Sequence, residues 1–184
     1  MGYTTEFTGY MKIDPPLNPD QVSYINKFSE TRRMKRDPDK ASQNPDPLRE
    51  AVGLPIGEEG AYLIGGSDIR GHGEDKNIID YNAPPAGQPG LWCQWVISED
   101  GSNLEWDYGE KFYEYERWLQ YIQEHFLTPW GSKLTGEISW SGEEWDDRGI
   151  LYALDGRIEG VLDTIKNYGP AWENWEFMDK GENK

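Results

Sequence analysis

A chain of 184 residues with 34 acidic and 18 basic side chains, net charge −16, is repelled by phosphate backbones and anionic membrane surfaces. Direct nucleic-acid binding and membrane docking are therefore disfavoured. The length suits one domain that buries about two thirds of the surface its unfolded form exposes, and the single cysteine, Cys93, excludes an internal disulfide and fits a reducing, cytoplasmic setting.

The first residues, Met1 to Glu6, have no basic region ahead of an apolar core, so they do not read as a secretory signal. Gly2 lacks the Ser/Thr partner that myristoylation needs, because Glu6 stands there. From Tyr3 to Ile13 apolar Tyr3, Phe7, Met11 and Ile13 alternate with polar residues, which predicts a half-buried strand. Asn18-Pro19-Asp20-Gln21 combines a cap, a proline at the first helical position and a glutamine three after the cap, and so predicts a helix start. Val22, Ile25 and Phe28 form its apolar stripe. The helix is expected to run into Arg32-Arg33-Met34-Lys35-Arg36, where cations meet the negative end of the macrodipole or an anionic ligand.

Residues 37–60 and 65–90 are rich in Pro, Gly and Asp and read as long connections, with one short strand, Ala61 to Ile64, between them. Leu91 to Ile97 is apolar on both alternating faces and predicts an interior strand. Asp100-Gly101 turns it back into Leu104-Glu105-Trp106 as a hairpin. Phe112, Tyr115, Leu119, Ile122 and Phe126 follow helical spacing until Pro129 and Gly131. Leu134 to Trp140, Ile150 to Leu154 and Arg157 to Leu162 then predict a three-strand antiparallel meander, its last two strands joined at Asp155-Gly156. The expected fold is a single α+β domain over residues 1–165, a mostly antiparallel sheet packed against two main helices. An aromatic and acidic C-terminal tail follows at 166–184. One internal echo exists, Thr8-Gly9-Tyr10-Met11-Lys12-Ile13 against Thr135-Gly136-Glu137-Ile138-Ser139-Trp140.

Reactive groups are sparse. With only His72 and His125, a histidine-rich metal site cannot be built, and His125 falls in the last turn of the main helix. The glycine-rich segment around Ser67, Asp68, Arg70 and His72 lacks the lysine of a P-loop and the spacing of a dinucleotide fingerprint. Glu105 and Asp107 flank Trp106, a carboxylate pair beside an aromatic that glycosidases use. A candidate pocket therefore gathers Arg70, His72, Trp95, Trp106 and Asp107. No cofactor motif is complete, and no cofactor or metal is expected.

Charge is uneven: residues 91–184 carry −12 and residues 1–90 carry −4. Glu143-Glu144-Trp145-Asp146-Asp147 concentrates it in one loop. Nine tryptophans and eleven tyrosines supply core area or contact hot spots. The candidate interaction surface is Glu143, Glu144, Trp145, Asp146 and Asp147, with Trp172 and Trp175 from the tail.

Pro84-Pro85-Ala86-Gly87-Gln88-Pro89-Gly90-Leu91-Trp92-Cys93-Gln94-Trp95, Leu104-Glu105-Trp106-Asp107, Gly109-Glu110-Lys111-Phe112-Tyr113, His125-Phe126-Leu127 and Glu50-Ala51-Val52-Gly53-Leu54-Pro55 stand out as motifs. Together they resemble an uncharacterised protein family of bacterial and phage genomes, over residues 3–155. The resemblance implies a bacterial or phage-infected cytoplasm and carries no activity or catalytic residue.

The expectation is a non-enzymatic acidic protein that binds a protein with a basic surface, in one form a phage-type inhibitor imitating nucleic-acid charge. Two alternatives compete. One is a small hydrolase or transferase using the 65–75 loop and the Trp95/Trp106 hairpin. The other is a nucleotide sponge using Arg32, Arg33, Lys35 or Arg70 for phosphate. The oligomeric state has no signature in the sequence.

Overall fold

The computed structural model describes residues 2–54 and 77–162. The expected strand at 61–64, the 65–76 loop and the tail beyond residue 162 lie outside the described residues. Among the described residues fourteen elements follow one another: β1 (Glu6–Asp14), α1 (Pro19–Glu30), β2 (Lys35–Arg36), α2 (Pro38–Ala41), α3 (Pro47–Ala51), β3 (Ile78–Asp80), β4 (Trp95–Ile97), β5 (Asn103–Trp106), α4 (Tyr115–Ile122), a π-helical turn (Gln123–Leu127), α5 (Thr128–Trp130), β6 (Lys133–Ser141), β7 (Arg148–Leu154) and β8 (Arg157–Leu162). The α+β class and the antiparallel sheet agree with the sequence reading.

Six strands form one antiparallel sheet in the order β4-β5-β1-β6-β7-β8. Period-two burial turns Phe7, Met11 and Ile13 of β1, Leu134, Ile138 and Trp140 of β6, and Leu151 and Ala153 of β7 inward, away from solvent. Val22, Ile25 and Phe28 of α1 and Trp118, Leu119 and Ile122 of α4 join the same core. Thr8, Tyr10, Lys12, Glu137 and Ser139 stand on the exposed face.

The two echoing segments are the two central strands. Thr8 to Ile13 and Thr135 to Trp140 pair with each other in β1 and β6, with Met11 opposite Gly136 and Gly9 opposite Ile138. Both glycines hold positive φ, 105° and 134°, where a side chain would also crowd the facing backbone. The hairpins outside this pair run in opposite sequence order, β4 to β5 inward and β7 to β8 outward, so the echo does not extend to a duplicated unit.

The capping box forms as expected: Asn18 Oδ1 accepts from Gln21 N–H, and Gln21 Oε1 accepts from Asn18 N–H. The helix does not continue into the basic cluster. It stops at Glu30, because Thr31 takes extended dihedrals and caps it through its N–H to Phe28 O. Lys35 and Arg36 instead pair with β3. Residues 37–54 and 77–90, expected as irregular connections, contain α2, α3 and β3. Asp37-Pro38 and Asp46-Pro47 repeat the cap-plus-proline device of Asn18-Pro19, with each aspartate accepting backbone N–H bonds.

Leu91 to Ile97 is not an interior strand. Only Trp95–Ile97 is extended, and it lies at the sheet edge. Helix α1 covers that edge: Asn26 donates to Ile97 O at 3.0 Å and accepts from Ile97 N–H at 2.8 Å, and Ser29 donates to Trp95 O at 2.6 Å. Pro129 does not end the main helix either. It sits within the helical run, directly after the π-helical turn, and Gly131 closes the run at φ 78°. The buried Gln123 carboxamide ties this turn to β6, donating to Ser132 O and Thr128 Oγ1 and accepting from Leu134 N–H.

Burial sets an alkaline limit. It pushes the Cys93 thiol from an ordinary 9.0 up to about 12, and the Tyr24 and Tyr115 hydroxyls from 10.0 up to about 12. Each folded pKa is raised, so the stability these groups contribute is complete below about pH 9 and is lost as pH climbs to about 12. Burial lowers Arg33 from 12.5 to about 10, which acts in the opposite direction above about pH 10, but one group opposes three. Urea midpoints should hold steady from about pH 7 to about 9 and then fall. Cys93→Ala should delay the start of that fall, as equilibrium unfolding at stepped pH will read.

Candidate functional site

The β6–β7 connection carries the acidic run, and residues ahead of β1 lie directly against it. Thr4 N–H donates to Glu143 Oε1 at 2.7 Å, and the Tyr3 hydroxyl donates to the Asp147 carboxylate. Glu144 N–H in turn donates to Tyr3 Oη at 3.3 Å. Within the loop, Gly142 N–H reaches Asp147 O at 2.6 Å and Asp147 N–H reaches Glu144 O at 3.0 Å. Tyr3 is raised above its ordinary pKa, first because its hydroxyl donates to Asp147. Tyr3, Glu144, Asp146 and Asp147 line a shallow depression of about 410 Å³.

A second loop borders this face. Tyr113 Oη accepts from Tyr3 N–H at 3.2 Å. Between β5 and α4 three non-glycine residues, Tyr108, Lys111 and Glu114, take left-handed dihedrals with φ of 64°, 59° and 56°. Such conformations are costly and concentrate at functional sites. Trp145 is 73% exposed, Tyr108 81% and Tyr113 53%, against a core that encloses most other large rings. The face therefore joins Glu143, Glu144, Asp146 and Asp147 to exposed aromatics on two adjoining loops.

Of the candidate pocket, Trp95, Trp106 and Asp107 fall among the described residues. Trp95 is fully buried, its indole N–H donating to Tyr115 O at 2.9 Å and its ring packed on Phe7 and Phe112. It is a core residue, because Cys93, Trp95 and Ile97 point inward from the edge strand. Trp106 is half-buried, donates to Gln94 Oε1 and lies 5.1 Å from the Tyr108 ring. Asp107 accepts from Gly109 N–H at 2.7 Å, and partial desolvation raises its carboxyl above the ordinary value. Trp106, Asp107 and Tyr108 stay together at the surface. Arg70, His72, Trp172 and Trp175 lie outside the described residues. His125 is exposed and stacks on Tyr121 at 4.2 Å. Among the described residues, no group of three His, Cys, Asp or Glu is placed to hold a metal ion. None of their helices is long and apolar enough to cross a membrane.

The basic cluster does not lie in the last turn of a helix, as its sequence had suggested. Arg33, Arg36 and Arg49 are buried, with 4%, 8% and 5% exposure, and Asp46 is the buried carboxylate near them. Arg33 donates to Gln88 Oε1 at 3.0 Å and lies 4.1 Å over the Phe28 ring. Gln88 donates to Tyr121 Oη, and Arg49 to Tyr24 Oη at 2.7 Å. Arg32 stacks on Trp92 and donates to Tyr81 O. Among the described residues the guanidinium groups of Arg33, Arg36 and Arg49 are thus built into the interior and are not displayed on the surface. Sequence reasoning missed Tyr3 and Tyr113, whose roles depend on partners more than a hundred residues away.

Family models, curated proteins and solved structures were compared with this chain, and none matches it.

Proposed function

We propose that this protein is a non-enzymatic binding or regulatory protein whose acidic, aromatic face docks on the basic surface of a protein partner. The observation that carries the reading is the gathering of Glu144, Asp146 and Asp147 around one depression, with exposed Glu143 and Trp145 on the same loop. Carboxylates there attract cations at long range, and flat rings beside them supply desolvated contact area and cation–π attraction. The finer form is an inhibitor of the kind phages and mobile elements carry, imitating nucleic-acid charge against a basic host protein. It draws on the net charge of −16 and on the family resemblance.

The test uses a fluorescent decalysine peptide as a model basic partner. Glu143→Gln, Glu144→Gln, Asp146→Asn and Asp147→Asn together should weaken binding about tenfold. A charge-matched control with Glu30→Gln, Asp39→Asn, Glu50→Gln and Glu99→Gln should weaken it far less. Equal losses in the two variants would mean that only net charge matters, and the assigned face would be wrong.

A further inference from the structure

The acidic loop is held by more than its own hairpin. Residues 2–4, ahead of β1, reach it and the neighbouring loop at once. Gly2 lies beneath the aliphatic chain of Lys111, Tyr3 N–H donates to Tyr113 Oη, Tyr3 Oη bridges Asp147 and Glu144 N–H, and Thr4 N–H donates to Glu143. Gly142 makes room for this: a methyl group at its Cα would occupy the place of Tyr3 Oη and the Asp147 carboxylate. Two of the loop's four carboxylates, Glu143 and Asp147, thus accept hydrogen bonds from the N-terminal segment; Glu143, Glu144, Trp145 and Asp146 are exposed and Asp147 is half-buried.

We infer that residues 2–4 form a strap that fixes the geometry in which the β6–β7 loop presents its carboxylates, and that displacing the strap switches the loop from a pinned to a released array. The inference deepens the reading of this face as a binding surface and rests on it for its consequence. In the pinned state the ordering entropy of the loop is spent before any partner arrives, which favours one complementary surface. In the released state the same charges are held in no fixed arrangement, and the loop must be ordered again on binding. Anything that captures or removes the strap, including a partner's own groove, would therefore change what the face recognises. Tyr3 sets the latch, because its hydroxyl both donates to and accepts from the loop.

Amide exchange followed by NMR on the full chain tests this without a partner. Tyr3→Phe deletes only the hydroxyl, and Gly142→Ala evicts it while leaving Tyr3 intact. In both, exchange at Glu144 and Asp147 should rise about tenfold or more, while Ile138 and Leu151 in the sheet stay as in the parent chain. Unchanged exchange at 143–147 in the two folded variants would overturn the strap. If loop exchange rises but the parent chain has no affinity for decalysine, the strap stands and the docking proposal falls. The two failures are therefore distinct.

Discussion

Trp95→Ala should cost the fold about 3–5 kcal/mol, the range for deleting a large buried ring whose surroundings relax only in part. Trp95 is fully buried and meets Phe7 at 5.1 Å and Phe112 at 5.2 Å, both edge-on. Phe7 in turn contacts Trp106 and Tyr115, so one deletion loosens the junction of β1, β5 and α4. For a chain of this length the loss corresponds to a melting point about 10 °C lower. Trp95→Phe should cost only about 1–2 kcal/mol, because a ring remains and the bond from indole N–H to Tyr115 O is what disappears. Urea unfolding of the two variants separates packing from hydrogen bonding. Equal small costs would place Trp95 outside the core.

Asn26→Leu should be nearly as damaging for a different reason. Asn26 satisfies both backbone groups of Ile97 on the outer side of the edge strand β4, acting as a stand-in for a neighbouring strand. Leucine leaves that N–H and C=O shielded from water without partners, at about 1–3 kcal/mol each. Where α1 lifts away from β4 to let these groups rehydrate, it uncovers a template for strand pairing. Lower stability is therefore expected together with concentration-dependent association, readable by sedimentation velocity. Asn26→Asp restores the acceptor only, and should recover part of the loss. A monomeric, fully stable Asn26→Leu protein would show that α1 does not guard the edge.

The parts of the molecule governed by short-range rules were legible in the sequence. Alternation gave β1 and the meander, and the box at Asn18 and Gln21 placed the start of α1 at the residue observed. The same reasoning was stopped short at Asp37-Pro38 and Asp46-Pro47, where helices of four and five residues are too brief to show an apolar period. Leu91 to Ile97 misled because apolar residues on both faces suggest a covered interior strand. Here one face enters the core, while Trp92 is occupied by the Arg32 guanidinium. Arg33 and Arg49 could not be identified as buried from local pattern. Their burial depends on Gln88 and Tyr24, 55 and 25 residues away in sequence.

The site divided along the same line. The carboxylate run was visible as composition, and its exposure follows from its place in a tight β6–β7 connection. Its fixation by Tyr3 was invisible, because a bond between residues 144 positions apart leaves no periodic trace. The Trp95 and Asp107 pairing failed through side-chain direction: β4 sends Trp95 into the core, whereas Asp107 leaves β5 at its exposed end.

The central claim is that a shaped negative rim, and not simply an acidic chain, engages a positively charged partner. It is tested most directly by titrating salt from about 50 to about 500 mM against the decalysine complex of the parent chain, the loop-neutralised chain and the charge-matched control. Affinity should fall steeply for the parent and the control, and only shallowly for the loop-neutralised chain, because its long-range attraction has already been removed. Parallel salt dependence in all three proteins would contradict the account.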